Sequence, residues 1–227
     1  MTEAAKGATI AVPRVSTVQP AAAAPRKRGR PADMFPVRRA EVVAVAARLF
    51  GERGYDSTSI AEICEAAGIG KGALYHYINS KEELLAAIFE SYLVPTLAEV
   101  KQAVAIPGTA LQRLERMSRI LVHAIAEHGY EVRVVEREWA LIRRGGSLWR
   151  PVTKQMRAFD DLLLEILRDG TETGEISFDE PDLAVIAFWG MHNYISRWYH
   201  GGRFTEDQIA NAFCRIFAHG VAGQGPA

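Results

Sequence analysis

From Pro36 to the end of the chain, apolar residues recur at intervals of three and four. Val42, Val45, Ala46, Leu49 and Phe50 stand at offsets 0, 3, 4, 7 and 8, which places them on one face of a helix. The same spacing returns in Leu111, Leu114, Leu121, Val122 and Ile125, and again in Met156, Phe159, Leu163, Ile166 and Leu167. Only short apolar runs suggest strands; the clearest, Val132–Val135, is read as helix. A chain patterned in this way buries its stripes helix against helix. The fold class is all-α, with about nine helices.

Local punctuation divides the first part of that pattern finely. Gly54 stops the first helix, and Ser59-Ile60-Ala61-Glu62 is a capping box that opens a second. Gly68 and Gly70 end that helix near Ala67. A third short helix is predicted from Lys71 to Tyr77, ending near Asn79. Ser80-Lys81-Glu82-Glu83 is a second capping box, opening a long helix that Pro95 is expected to bend. Two short helices joined by a glycine turn and buttressed by a longer one make a helix-turn-helix. The third helix has a nearly bare first turn, so the backbone at Gly70 and Gly72 can approach a phosphate. Lys71 and Lys81 flank it as point charges, Tyr75 and His76 offer polar and aromatic edges, and Leu74 and Ile78 anchor it inward.

The stretch AARLFGERGYDSTSIAEICEAAGIGKGALYHYINSKEELLAAI, within residues 38–90, resembles the amino-terminal DNA-binding domain of the TetR family of transcriptional regulators. The resemblance implies that Thr58 or Ser59 touches phosphate at the start of the second helix. It places Gly70, Lys71, Gly72, Ala73, Tyr75 and His76 on a recognition helix, and Lys81 on a phosphate clamp. Ile69 and Gly70 stand where many members carry a small polar residue. Tyr75 is assigned to DNA and Tyr77 to packing.

The net charge of zero hides an asymmetry. Residues 1–40 carry eight basic groups against Glu3 and Asp33, and the remainder carries 19 basic against 25 acidic. A basic end on an acidic body suits a polyanion partner reached by that end. Residues 1–34, with four prolines, read as a disordered arm that orders on DNA. Within it, Arg28-Gly29-Arg30-Pro31 resembles an AT-hook core. Its glycine lets the strand sink into a narrow minor groove, where the two guanidinium groups meet the negative potential of A·T-rich steps. The expected domains are therefore the arm (1–34), a helix-turn-helix head (35–85), a ligand-binding and dimerisation domain (86–220) and a tail (221–227).

For the larger half, the TetR resemblance implies a dimer built on the last two helices and a ligand cavity among the preceding ones. The helix expected over 181–200 is apolar on two sides. Leu183, Ile186, Ala187, Gly190, Met191 and Tyr194 form one stripe, while Val185, Phe188, Trp189 and His192 form the other, as expected of a sandwiched helix. Ile209, Ala212, Phe213, Ile216 and Phe217 give the final helix a face to complete a four-helix interface. Around 131–150, Val132, Val135, Trp139 and Ile142 share a face with Glu136 and Arg143, charges that must be paired when buried or must answer a polar ligand. Together with VEREWALIRRG and ISRWYHGGRFT, this layout is similar to TetR-like regulators of fatty-acid and sterol breakdown, which respond to acyl-CoA thioesters. The candidate effector residues are Met117, Leu121, Glu136, Trp139, Arg143, Phe188, Trp189, His192 and Arg197, with Arg143 or Arg197 meeting an anionic end.

Other chemistry finds little support. His123, Glu127 and His128 have the wrong spacing for a zinc helix, and Gly68–Gly72 lacks both the first glycine and the final Ser or Thr of a phosphate-binding loop. No metal or cofactor is expected. Cys64 and Cys214 form no disulfide framework, and no leader or membrane-length apolar run is apparent, so a reducing cytoplasm is expected. The expected partners are palindromic double-stranded DNA, a small-molecule effector and a second copy of the chain. A rival reading, a constitutive A·T-rich architectural protein, would need no effector.

Overall fold

Pro31 opens the first helix, α1 (Pro31–Arg53), five residues before Pro36 and inside the stretch that composition assigns to the arm. A proline at a first helical position loses no intrahelical hydrogen bond. The computed structural model describes residues 31–178 and 180–219, with side chains from Arg38 onward. Arg28, Gly29, Arg30 and the tail lie outside the described residues.

Among those residues every regular element is a helix. After α1 come α2 (Ile60–Ala66), α3 (Lys71–Leu74) and α4 (Lys81–Val104), which runs on through Pro95. Then follow α5 (Ala110–Glu127), α6 (Gly129–Arg137), α7 (Trp139–Arg144), a 3-10 turn (Ser147–Trp149) and α8 (Arg150–Glu172). The last three are α9 (Pro181–Asn193), α10 (Ile195–Trp198) and α11 (Glu206–His219). There are more helices than the periodicity predicts because two expected helices break: one at Glu138, between α6 and α7, and one at Tyr194, between α9 and α10. No described helix is long and apolar enough to cross a membrane.

α5 is the central strut. It packs against α4, α8, α9, α10 and α11, burying Leu114, Met117, Leu121, Val122 and Ile125. Its start is fixed by a third capping box, in which Thr109 and Gln112 exchange hydrogen bonds of 3.1 and 3.3 Å. Arg113 on α5 reaches Glu165 and Asp169 on α8. The buried apolar residues form one continuous cluster from Val42 to Ala210, so the head made by α1 to α3 shares a core with the larger part.

Candidate functional site

The head is a sequence of local locks. Gly54 turns the chain at a φ of +93°, and the Thr58 hydroxyl donates to its carbonyl at 2.9 Å. Thr58 is 0% exposed, so of the two phosphate contacts the resemblance allows, Thr58 is corrected: its hydroxyl is spent inside the turn. Ser59 is exposed at the start of α2. Its oxygen accepts from the Glu62 amide at 3.2 Å while the Glu62 carboxylate accepts from the Ser59 amide at 2.7 Å. The Ser59 amide and hydroxyl, with Arg53 beside them, hold the Glu62 carboxyl below its ordinary range.

α2 ends in a Schellman arrangement: Ile69 N–H donates to the Cys64 carbonyl and Gly68 N–H to that of Glu65. Gly68, at a φ of +64°, is the residue that geometry requires. A short exposed helix follows. The periodicity predicts a helix to Tyr77, but α3 ends at Leu74 and the chain tightens, with Tyr77 N–H bonding the Leu74 carbonyl at 2.8 Å. Leu74 and Ile78 are buried and pin the segment down. Gly70, Lys71, Gly72, Ala73, Tyr75 and His76 all face outward, with Tyr75 at 52%.

Gly70 and Gly72 have ordinary φ, and an added Cβ at either would meet nothing within 4 Å. The fold itself therefore requires no glycine there, and in a helix Gly72 costs up to about 1 kcal/mol relative to alanine. What bare positions offer is room for another molecule's backbone. Lys81 begins α4 half buried, its ammonium 4.3 Å from the centre of the Tyr55 ring. That stacking holds the charge at the rim of the head. The second capping box is displaced by one residue: Ser80 accepts from Glu83 N–H, but the Glu83 carboxylate takes both the backbone and side-chain amides of Asn79.

The larger domain grips the head at two points. Arg137 on α6 donates to the Gly51 carbonyl on α1 at 3.1 Å, and Tyr130 closes so tightly on Gly51 that a Cβ there would come within 3.1 Å of its ring. On the other side, the buried Trp149 indole donates to Glu82, in the first turn of α4, at 2.9 Å.

Within the larger domain, Met117, Leu121, Phe188 and His192 are buried in one core. Trp189 is half buried and donates to Asp160 at 2.8 Å. Burial pushes the Asp160 carboxyl up. His192 is 1% exposed; one ring nitrogen lies 2.8 Å from Ser118 Oγ and the other 2.8 Å from the Phe188 carbonyl. A carbonyl can only accept, so Nδ1 carries the proton and the Ser118 hydroxyl donates to Nε2. Burial lowers the His192 pKa to about 4, against a smaller upward pull from the Phe188 carbonyl, and the ring is neutral. Ser118 was legible as a polar interruption of the α5 stripe between Leu114 and Leu121.

The face expected to join Trp139 and Arg143 to Glu136 does not form. The break at Glu138 re-phases the helix and leaves Trp139 and Arg143 in solvent. Glu136 turns instead to α10, accepting from Ser196 Oγ at 2.6 Å and from Arg197 Nε at 3.4 Å. Two grooves of about 770 and 670 Å³ open beside α11, the first lined by Glu115 and Cys214 and the second by His123 and Glu206. None of the candidate effector residues lines either groove.

Along α9, Leu183, Ala187, Gly190 and Tyr194 are exposed, with Leu183 at 63%, while Met191 is half buried. On α11, Ile216 is exposed and Ala212 half buried. One residue assigned to the interface is corrected, Ile209. Ile209 is buried within its own chain, Phe213 sets its ring edge-on to His192, and Phe217 packs on Phe178 and Phe188. Phe213 and Phe217 remain half buried.

Residues 42–88 match the model of bacterial regulatory proteins of the tetR family, and residues 107–221 match that of the tetracyclin repressor-like C-terminal domain. The HTH-type transcriptional repressor KstR2 of Mycobacterium tuberculosis is 29% identical over 195 residues, covering 83% of this chain and 94% of that protein. The solved ketosteroid transcriptional regulator KstR2 from the same organism superposes with a TM-score of 0.74 at 26% identity, over 82% of this chain and 96% of that one. AibR, solved in complex with isovaleryl coenzyme A and operator DNA, gives 0.72 at 28% identity, over 80% and 98% of the two chains.

Two outcomes test this geometry. Gly72→Ala is expected to raise the thermal midpoint slightly yet weaken operator binding at least tenfold by fluorescence anisotropy; equal affinity would show that nothing approaches the bare turn. For His192, the unfolded chain takes up a proton near pH 6.5 and the folded one only near 4. The unfolded state thus binds more protons in that window, and stability, full above pH 6.5, falls as pH drops towards 4, by about 3 kcal/mol in all. Urea unfolding of the wild type against His192→Gln should show that loss only in the wild type.

Proposed function

The chain belongs to the tetR family of bacterial regulatory proteins, and on that footing we propose a cytoplasmic homodimeric repressor that leaves a palindromic operator when an acyl-coenzyme A thioester binds. The observation that carries the DNA half of this reading is the exposed α3, bare at Gly70 and Gly72, with Lys71, Tyr75 and His76 around it. Ser59 and Lys71 position the duplex through phosphates, while Tyr75 and His76 reach base edges. The open α9 face, continued by Ile216, pairs two copies, so that two reading segments meet successive major grooves about 34 Å apart.

The thioester half is supported by the isovaleryl coenzyme A held by AibR and by the repressor role of KstR2. Met117, Leu121 and Phe188 suit an acyl chain, and Ser118 and His192 suit a carbonyl placed among them. Arg197, paired only at 3.4 Å and largely exposed, is the cation to meet the anionic end. Such a ligand must part α5 from α9 and α10. That displacement passes through α6 to Gly51 and through the 3-10 turn to Glu82, changing the tilt of the heads. The protein acts by binding and not by catalysis.

The test is an operator selected from random duplexes and titrated with the protein while acyl-CoA thioesters, free acids and aromatic drugs are added in turn. A thioester should weaken operator binding about 100-fold, a coupling of about 3 kcal/mol. Release by the drugs alone, or by nothing in the panel, would discard the thioester.

A further inference from the structure

Residues 139–159 contain Arg143, Arg144, Arg150, Lys154 and Arg157 and not one acid, within a body that is otherwise acidic. All five are exposed, and among the described residues none of the five forms an ion pair. By contrast, Arg113 and Arg119 in the same domain are each held by two carboxylates.

α8 is electrically lopsided. Its first half bears Arg150, Lys154 and Arg157, at offsets 0, 4 and 7 on one face, while its second half bears Asp160, Asp161, Glu165, Asp169 and Glu172 against Arg168. The helix macrodipole favours the reverse, acids at the amino end and cations at the carboxyl end. The arrangement therefore works against the stability of the helix. The basic half is also the one next to the head: Trp149, immediately before α8, donates to Glu82 in the first turn of α4. The acidic half lies at the far end, where Glu165 and Asp169 meet Arg113 near the start of α5.

We propose that Arg143, Arg144 and Arg150 form a second DNA-binding surface on the larger domain, which grips operator phosphates beside the reading head, with Lys154 and Arg157 extending its field. The proposal rests on the DNA-binding reading above and adds a contact outside the helix-turn-helix. Guanidinium groups suit phosphate through paired N–H donors, and such contacts read no sequence. The surface adds affinity equally to operator and unrelated duplex.

The experiment is anisotropy titration of the full-length chain on the selected operator and on an unrelated duplex, across a range of salt. It compares the wild type, Arg143→Gln/Arg144→Gln/Arg150→Gln, and the same three positions as lysine. Each lost phosphate contact flattens the log–log salt slope by about 0.9. The glutamine variant should therefore lose two or more units of slope per dimer and at least tenfold in affinity on both duplexes, with its thermal midpoint unchanged or raised. The lysine variant should retain most of the slope. An unaltered slope and affinity in the glutamine variant would overturn the proposal. So would a variant that binds operator normally but no longer responds to a thioester, since the surface would then serve a phosphate-bearing effector. Failure of the wild type itself to prefer any selected duplex would instead strike the repressor reading.

Discussion

A reading helix of four residues cannot hold itself together. Nucleating a helix fixes several residues for one hydrogen bond, and isolated helices shorter than about 12 residues are marginal in water. α3, Lys71–Leu74, is therefore shaped by what surrounds it. Leu74 and Ile78 sink into the apolar core, the Schellman turn at Gly68 fixes the entry, and the Asn79–Glu83 bonds fix the exit. None of these devices uses the side chains of Lys71, Ala73, Tyr75 or His76. The exposed side is left to serve recognition alone.

The same dependence explains how an event in the larger domain can reach DNA. The head shares one core with the body and is held at Gly51 by α6 and at Glu82 by Trp149. A contact such as Tyr130 on Gly51 has no slack, because close-packed interiors transmit displacement and do not absorb it. The buried Ser118–His192 bond joins α5 to α9, and α10 is tied to α6 through Ser196 and Glu136. On the proposed reading, a ligand that replaces those hydrogen bonds with its own would favour whichever head position relieves the strain, which is all that linkage requires.

Legibility in the sequence followed locality. The Ser59–Glu62 box, the glycine turn and the two-sided character of α9 could be read because each depends on residues within a few positions of one another. The inward side of α9 packs on its own chain and the outward side is bare, as two stripes imply. What escaped were breaks in phase and choices of partner. A one-residue interruption at Glu138 rotates everything after it, so Trp139 and Arg143 left the face that holds Glu136. Ile209 is equally compatible with a partner's surface or the chain's own core; only tertiary packing decides, and it buries the side chain. Thr58 and Ser59 are adjacent and chemically alike, yet the turn at Gly54 buries one and exposes the other. The basic residues of 143–157 are plain in the sequence, but the placement of Arg150 near the head depends on where Trp149 lands.

The central claim is that two copies of the segment after Gly70 lie in successive major grooves of one duplex. Hydroxyl-radical footprinting on the selected operator reads this directly. It should show two protected patches of equal strength, related by a dyad, with centres one turn or a whole number of turns apart. A single patch, or protection running along the duplex without symmetry, would contradict it.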